Sequence, residues 1–167
     1  MNQKYRNIIM WALFAALFLA AVMAQTTLFG RVRFHDVKLS VLPIAMVCIG
    51  MQVDHEAAGL FGLLAGLCWF ALGAEDGTLA IVTFPAVGIL AGWLCDSLFA
   101  RRFFPSLALS LGALVLHEGA LFAIKYYLGT APAELALWVP KTVAMSLAVT
   151  PVIYLLARLI GKAGVSK

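Results

Sequence analysis

Charge is scarce in this chain. Asp, Glu, Lys and Arg make up 12% of its 167 residues, about half the roughly 25% usual in soluble domains. Cysteine is scarcer still, with Cys48, Cys68 and Cys95 set 20 and 27 positions apart. An odd number at such spacing excludes a disulfide framework and a short-spaced metal motif, and leaves three small buried thiols as the expectation. Catalytic patterns are also missing. His117-Glu118 begins like a zinc-protease motif, but the second histidine that motif needs four residues later is replaced by Leu121. No nucleophile with a positioned base and no paired carboxylates recur elsewhere, so neither an enzyme nor a bound cofactor or metal is expected. Low-complexity segments and internal repeats are absent as well.

What is present is apolar sequence. Hydrophobic residues make up 63% of the chain, more than a protein this short can hide from water. A soluble enzyme is thereby excluded. The apolar runs fall at 8–29, 39–51, 57–73, 79–98, 103–128 and 135–157, which together take 121 residues and leave 46 for tails and connectors. A span needs roughly 20 residues to cross a hydrocarbon core about 30 Å thick. The runs are continuous rather than alternating, which favours helices over a barrel. The expected fold is therefore all-α, a single integral membrane domain over 1–167 forming a polytopic bundle of about six transmembrane helices. The second run, of 13 residues, covers only about 20 Å as a helix and is expected to be short or tilted.

Lys4 and Arg6 ahead of the first run, with small residues before Gln25, imitate a signal peptide. The run continues to Phe29 and five more follow, so an uncleaved first span is expected. Basic residues near span ends stay on the cytoplasmic side. With six spans and the N-terminus inside, seven of the twelve basic residues are cytoplasmic, and Arg31, Arg33, Lys38, Lys125 and Lys141 face outward. If 39–51 does not cross, five spans with the N-terminus outside place eight inside and four outside. Both arrangements keep Arg101, Arg102 and the C-terminus cytoplasmic. The aromatic residues form two interfacial groups, Trp69, Phe70, Tyr126, Tyr127 and Trp138 at one end, and Trp93, Phe99, Phe103 and Phe104 at the other.

Two sets of residues stand out within the spans. His117, Glu118, Lys125 and Lys141 are the polar groups at depth, where a charge costs about 2.5 to 3.5 kcal/mol on insertion scales. Glu118 therefore needs a partner or a proton, and Lys141 on the adjacent span is the expected partner. Lys125 shares a helix face with Glu118 and can snorkel to the interface. Asp96 is expected to pair with Arg101 or Arg102. The second set is small residues at intervals of four. Ala12, Ala16, Ala20 and Ala24 mark one face of the first span, Gly62 and Gly66 with nearby Gly59 mark the third, and Gly88 and Gly92 mark the fourth. Such faces let helices approach closely, either inside the bundle or against a partner's helix.

Three stretches carry a family resemblance: Val41–Met46 (VLPIAM), Glu56–Trp69 (EAAGLFGLLAGLCW) and Gly88–Phe99 (GILAGWLCDSLF), with Ser110–Glu118 (SLGALVLHE) in span five. Over roughly residues 8–160 the chain resembles the rod shape-determining protein MreD family. Many members carry an aspartate near the end of span three, where this chain reads Trp69-Phe70-Ala71-Leu72 and delays its acids to Glu75-Asp76. The resemblance implies a non-enzymatic scaffold in the bacterial cytoplasmic membrane, with both termini cytoplasmic, surrounded by membrane lipid and without a nucleic-acid partner. It further implies association with MreC and, through it, with the MreB filament, the RodA glycosyltransferase and a penicillin-binding transpeptidase. That family is similar in fold to the substrate-binding subunit of energy-coupling-factor vitamin transporters, which forms the alternative reading. Such a subunit needs several polar side chains converging beneath the outer surface.

Overall fold

Seven α-helices carry the residues described by the computed structural model, which are 3–29, 39–97, 102–130 and 137–164. They are α1 (Gln3–Met23), α2 (Leu42–Gly50), α3 (His55–Ala71), α4 (Gly77–Ser97), α5 (Phe103–Tyr127), α6 (Trp138–Leu147) and α7 (Thr150–Gly164). The fold is all-α, as expected. Arg31, Arg33, Lys38, Phe99, Arg101 and Lys167, which enter the charge and aromatic arguments, lie outside the described residues.

The short second run becomes the centre of the molecule. All nine residues of α2 are buried, and α1, α3, α4, α5 and α7 pack around it. A helix of nine residues is about 14 Å long, less than half the hydrocarbon thickness. Its sequence, LPIAMVCIG, is apolar all round, the pattern of a helix with no solvent face. Pro43 sits in its first turn, where a missing N–H leaves no intrahelical bond unmade.

Three helical stretches are long and apolar enough to cross a membrane: Tyr5–Thr27, Gly77–Ser97 and Phe103–Tyr127. The sixth run is not one straight span, because α6 and α7 meet at 49°. Pro151 in the first turn of α7 has no N–H to give the carbonyl four residues back and crowds it, which accounts for the break. Counting that bent pair as one crossing gives four candidate spans, while α3, with 17 residues, is a shorter apolar helix. The chain is a polytopic helical membrane protein. Its outer surface carries large apolar side chains such as Leu60, Leu64, Val82, Val115 and Leu159, as expected where lipid replaces water.

α3 and α4 form an antiparallel pair joined along a glycine seam. A methyl group on Gly62 would lie 2.7 Å from the carbonyl oxygen of Phe84 and from Pro85, and one on Gly66 would lie 2.7 Å from the carbonyl oxygen of Ala80. From the other side, Gly88 would meet the Ala58 carbonyl oxygen at 2.7 Å and Gly92 the Cα of His55 at 2.8 Å. Backbone faces backbone at each of these points, so no side chain fits. Gly59 abuts the side chain of Ile89 instead. The glycines expected to serve either packing or docking are thus engaged inside the bundle.

α1 behaves differently. Phe14, Phe18, Ala21 and Val22 are buried, and Trp11 and Phe18 meet Phe61 of α3 at ring-centroid distances of 5.9 and 6.1 Å. Ala12, Ala16 and Ala20 lie on the opposite side of the same helix and are exposed. Ala24 is half-buried, because the helix widens into a π-helical turn over Ala24–Phe29. The side-chain hydroxyls of Thr26 and Thr27 bond back to the carbonyls of Val22 and Met23 at 3.0 and 2.5 Å, an arrangement that competes with regular helical bonding.

Candidate functional site

At the end of the bundle where α1 finishes and α2 begins, the π-helical turn directs Gln25 to residues 39–41, which lead into α2. Its Nε2 donates to the Leu39 carbonyl at 2.7 Å, and its Oε1 accepts the Val41 N–H at 2.8 Å. The Ser40 N–H donates to Ser146 Oγ of α6 at 2.9 Å. α2 has no side-chain cap of its own, and these distant side chains satisfy the backbone groups leading into it.

The α3–α4 turn lies at the same end. Leu72 caps α3, and Gly73 follows at a φ of 74°, the left-handed position at which a glycine ends a helix without strain. The reversal brings Asp76 back over α3. Trp69 Nε1 donates to Asp76 Oδ1 at 2.9 Å, and the other carboxylate oxygen lies 3.1 Å from His117 Nε2 on α5. The second ring nitrogen of His117, Nδ1, is 2.9 Å from Thr83 Oγ1 on α4. The acid delayed past the end of α3 in the sequence therefore returns to it in space.

This Trp69–Asp76–His117–Thr83 network ties three elements together around a histidine only 1% exposed. With His117 neutral, Nε2–H donates to Asp76 and the Thr83 hydroxyl donates to Nδ1. With the ring protonated, Nδ1–H donates to the hydroxyl instead, so both states are fully bonded. Burial raises the Asp76 pKa, but the hydrogen bonds from His117 and Trp69 and the electrostatic pull of His117 outweigh it. The carboxyl is held below its ordinary value of 3.8. The order Thr, His, Asp has the form of a nucleophile relay, yet Thr83 is only 5% exposed and lies off the neighbouring cavity. Its hydroxyl is engaged by the imidazole in the interior of the bundle.

Beside the network is a cavity of about 410 Å³. Gln25 and Thr26 reach it from the end of α1, Leu39 and Ser40 from the approach to α2, Trp69 and residues 72–76 from α3 and its turn, and Glu118, Leu121 and Lys125 from α5. Lys125 Nζ approaches Glu75 at 3.4 Å, an exposed pair of the kind that contributes little to stability. His117, the residue before Glu118, pairs across the bundle with Asp76, while half-buried Glu118 lines the cavity and Lys141 is exposed on α6.

Of the four polar residues singled out at depth, Glu118 and Lys125 line this cavity, His117 lies behind its wall on Asp76, and Lys141 is not a wall residue. Sequence reasoning missed Asp76, Thr83, Gln25 and Ser40. The legible signals were an acid four residues after Leu72 and a glycine, Gly73, between them. Among the described residues, no three His, Cys, Asp or Glu side chains converge as a metal site. Cys48, Cys68 and Cys95 are free thiols, two of them buried. No protein-family model, curated protein or solved structure matches the chain.

Proposed function

We propose that this chain is a membrane scaffold of the MreD type in the bacterial elongation machinery, seated in the cytoplasmic membrane with both termini inside. In this reading it receives the single transmembrane helix of MreC and holds that partner near RodA, a penicillin-binding transpeptidase and the MreB filament. It carries out no chemistry of its own. The observation that carries the reading is the outward face of α1. Ala12, Ala16 and Ala20 are exposed, whereas the aromatic face opposite supplies the contacts within the bundle. Small side chains on a lipid-facing surface let a second helix approach to backbone distance, which generates attraction where hydrophobic burial supplies none.

The test is Ala16→Leu, which keeps the first span hydrophobic and insertable. The variant is expected to accumulate in the membrane at the normal level, to lose co-purification with MreC, and to give rounded cells when it replaces the native gene. Retention of MreC with normal rod shape would overturn the scaffold reading.

A second reading is favoured by one observation. The polar cavity of about 410 Å³ lies within the range of small-molecule sites, roughly 300–1,000 Å³. It gathers more polar groups than the sequence revealed, and it supports a ligand-binding subunit of the energy-coupling-factor transporter kind. Saturable binding of a vitamin by the purified protein, together with rod shape that persists without the gene, would favour it over the scaffold.

A further inference from the structure

We propose that the groove between α4 and α5 holds one acyl chain of an anionic phospholipid, with the headgroup at Arg102. This surface is separate from the polar cavity and from the alanine face of α1, so the inference stands apart from the scaffold reading. The groove encloses about 240 Å³ and is lined only by aliphatic side chains and a glycine. Leu90 and Leu94 of α4 stand on one side, Leu109 and Leu116 of α5 on the other, and buried Val47 of α2 lies beneath. From Ala108 to Leu116 the groove follows α5 for about 12 Å. Its mean cross-section is then about 20 Å², room for one hydrocarbon chain but not for a helix about 10–12 Å across. No lining side chain asks for a hydrogen bond, and atoms facing an unfilled crevice forfeit their dispersion contacts. The fitting occupant is hydrocarbon. At Gly112 an added methyl group would meet nothing within 4 Å, so the groove is open along its α5 side.

Charge selects the headgroup. The groove leads toward the end of the bundle where α4 finishes and α5 starts, and Arg102 is the N-cap of α5, six residues before Ala108. Its side chain is exposed and joins no ion pair among the described residues. Arg101 precedes it in the sequence. Phe103 meets Tyr154 of α7 at a ring-centroid distance of 5.7 Å, which brings Arg158, one turn beyond Tyr154, and Lys162 to the same end. The acids at this end, Asp54, Glu56 and Asp96, belong to the other side of α4. There His55 abuts Gly92, and Asp96 follows Gly92 by four residues on the same face, whereas Leu90 and Leu94 line the groove from the opposite face. α5 also has no acidic residue in its first turn, which leaves the positive end of its dipole uncompensated. A phosphate with net negative charge is therefore favoured at the mouth of the groove, and a zwitterionic headgroup gains less.

The experiment uses the full chain in neutral maltoside micelles, titrated with phosphatidylglycerol or with phosphatidylcholine of the same acyl chains, and counts retained lipid by native mass spectrometry. One phosphatidylglycerol should be retained saturably and in preference to phosphatidylcholine. Arg102→Gln should cut that preference by about fivefold, the usual weight of one basic residue beside anionic lipid. Gly112→Leu, whose side chain has free space to enter, should fill the groove and weaken both lipids alike. The proposal is overturned if the parent retains the two lipids equally, if Arg102→Gln keeps the full preference, or if Gly112→Leu elutes as a normal monodisperse species and retains phosphatidylglycerol as tightly as the parent. A dimeric parent that Gly112→Leu makes monomeric would also overturn it, by showing that a second copy of the chain occupies the groove.

Discussion

The first span and the α3–α4 pair carry the same sequence signal, a small residue every four positions, and use it in opposite ways. In α3 and α4 the small residues are glycines, and Gly62, Gly66, Gly88 and Gly92 each face backbone of the neighbouring helix, so the surface is consumed within the bundle. In α1 they are alanines on the side away from Phe14 and Phe18, and the bundle leaves them uncovered. Periodicity locates a close-packing face but does not say which molecule supplies the other half. The companion residues on the same helix carry that information. Where bulky aromatic side chains occupy the opposite face, as in α1, they take the core and push the small face outward. Where the opposite face is leucine, as at Leu60 and Leu64 of α3, lipid takes the leucines and the glycines turn inward.

The largest effect is expected at the glycine seam. Gly66→Ala places a carbon 2.7 Å from the Ala80 carbonyl oxygen and 2.8 Å from the Ile81 Cα, a backbone clash that only separation of the helices relieves. A loss of about 1–3 kcal/mol is expected, and Gly66→Leu should lower membrane accumulation outright. Thermal melting of the purified protein in detergent measures the first, and membrane yield the second. Unchanged melting would show that the seam is not closed.

A smaller loss is expected at the network that closes the same pair of helices against α5. Asp76→Asn removes the charge that the His117 and Trp69 donors bond to, and about 1.5–3 kcal/mol is the usual weight of hydrogen bonds to a charged group, reduced here because Asp76 remains one quarter exposed. The pH dependence follows from the depressed carboxyl pKa. In the folded state Asp76 binds its proton less readily than in the unfolded chain, so its contribution is complete above the ordinary value of 3.8 and is lost as pH falls through the lower folded value. Melting curves between pH 3 and pH 7 should therefore show a steeper acid loss for the parent than for Asp76→Asn. Parallel curves would show that ionised Asp76 does not stabilise the fold.

The smallest effect is expected on α1. Ala20→Leu on the exposed face should change the melting of the isolated protein by no more than about 0.5 kcal/mol, in contrast to the glycine seam. A loss as large as that of Gly66→Ala would mean that the alanine face is covered from within.

The helical class, the apolar runs and the glycine seam were legible because each depends on residues close in sequence. The role of α2 was not. Its apolar composition on every side was readable, but a nine-residue helix becomes a core only because five other helices surround it. The bend between α6 and α7 has a local signal, Pro151, hidden inside a continuous apolar run. The polar network was the least legible feature. Asp76 and His117 are 41 positions apart, and only the turn at Gly73 and the packing of α4 on α5 bring them together. Glu118 drew attention as the expensive charge, while its neighbour His117 makes the hydrogen bond to Asp76 across the bundle.

The proposed scaffold role requires that α1 offer its alanine face to a partner helix. It is tested most directly by disulfide crosslinking in cells between single cysteines on α1 and a cysteine scanned along the transmembrane helix of MreC, in a background lacking the three native thiols. Crosslinks are expected from positions 12, 16 and 20, with a repeat of about four residues on the MreC side, and not from the lipid-facing controls Leu64 and Val115, which are 59% and 52% exposed. Crosslinks from the controls without any from the alanine positions would contradict the claim.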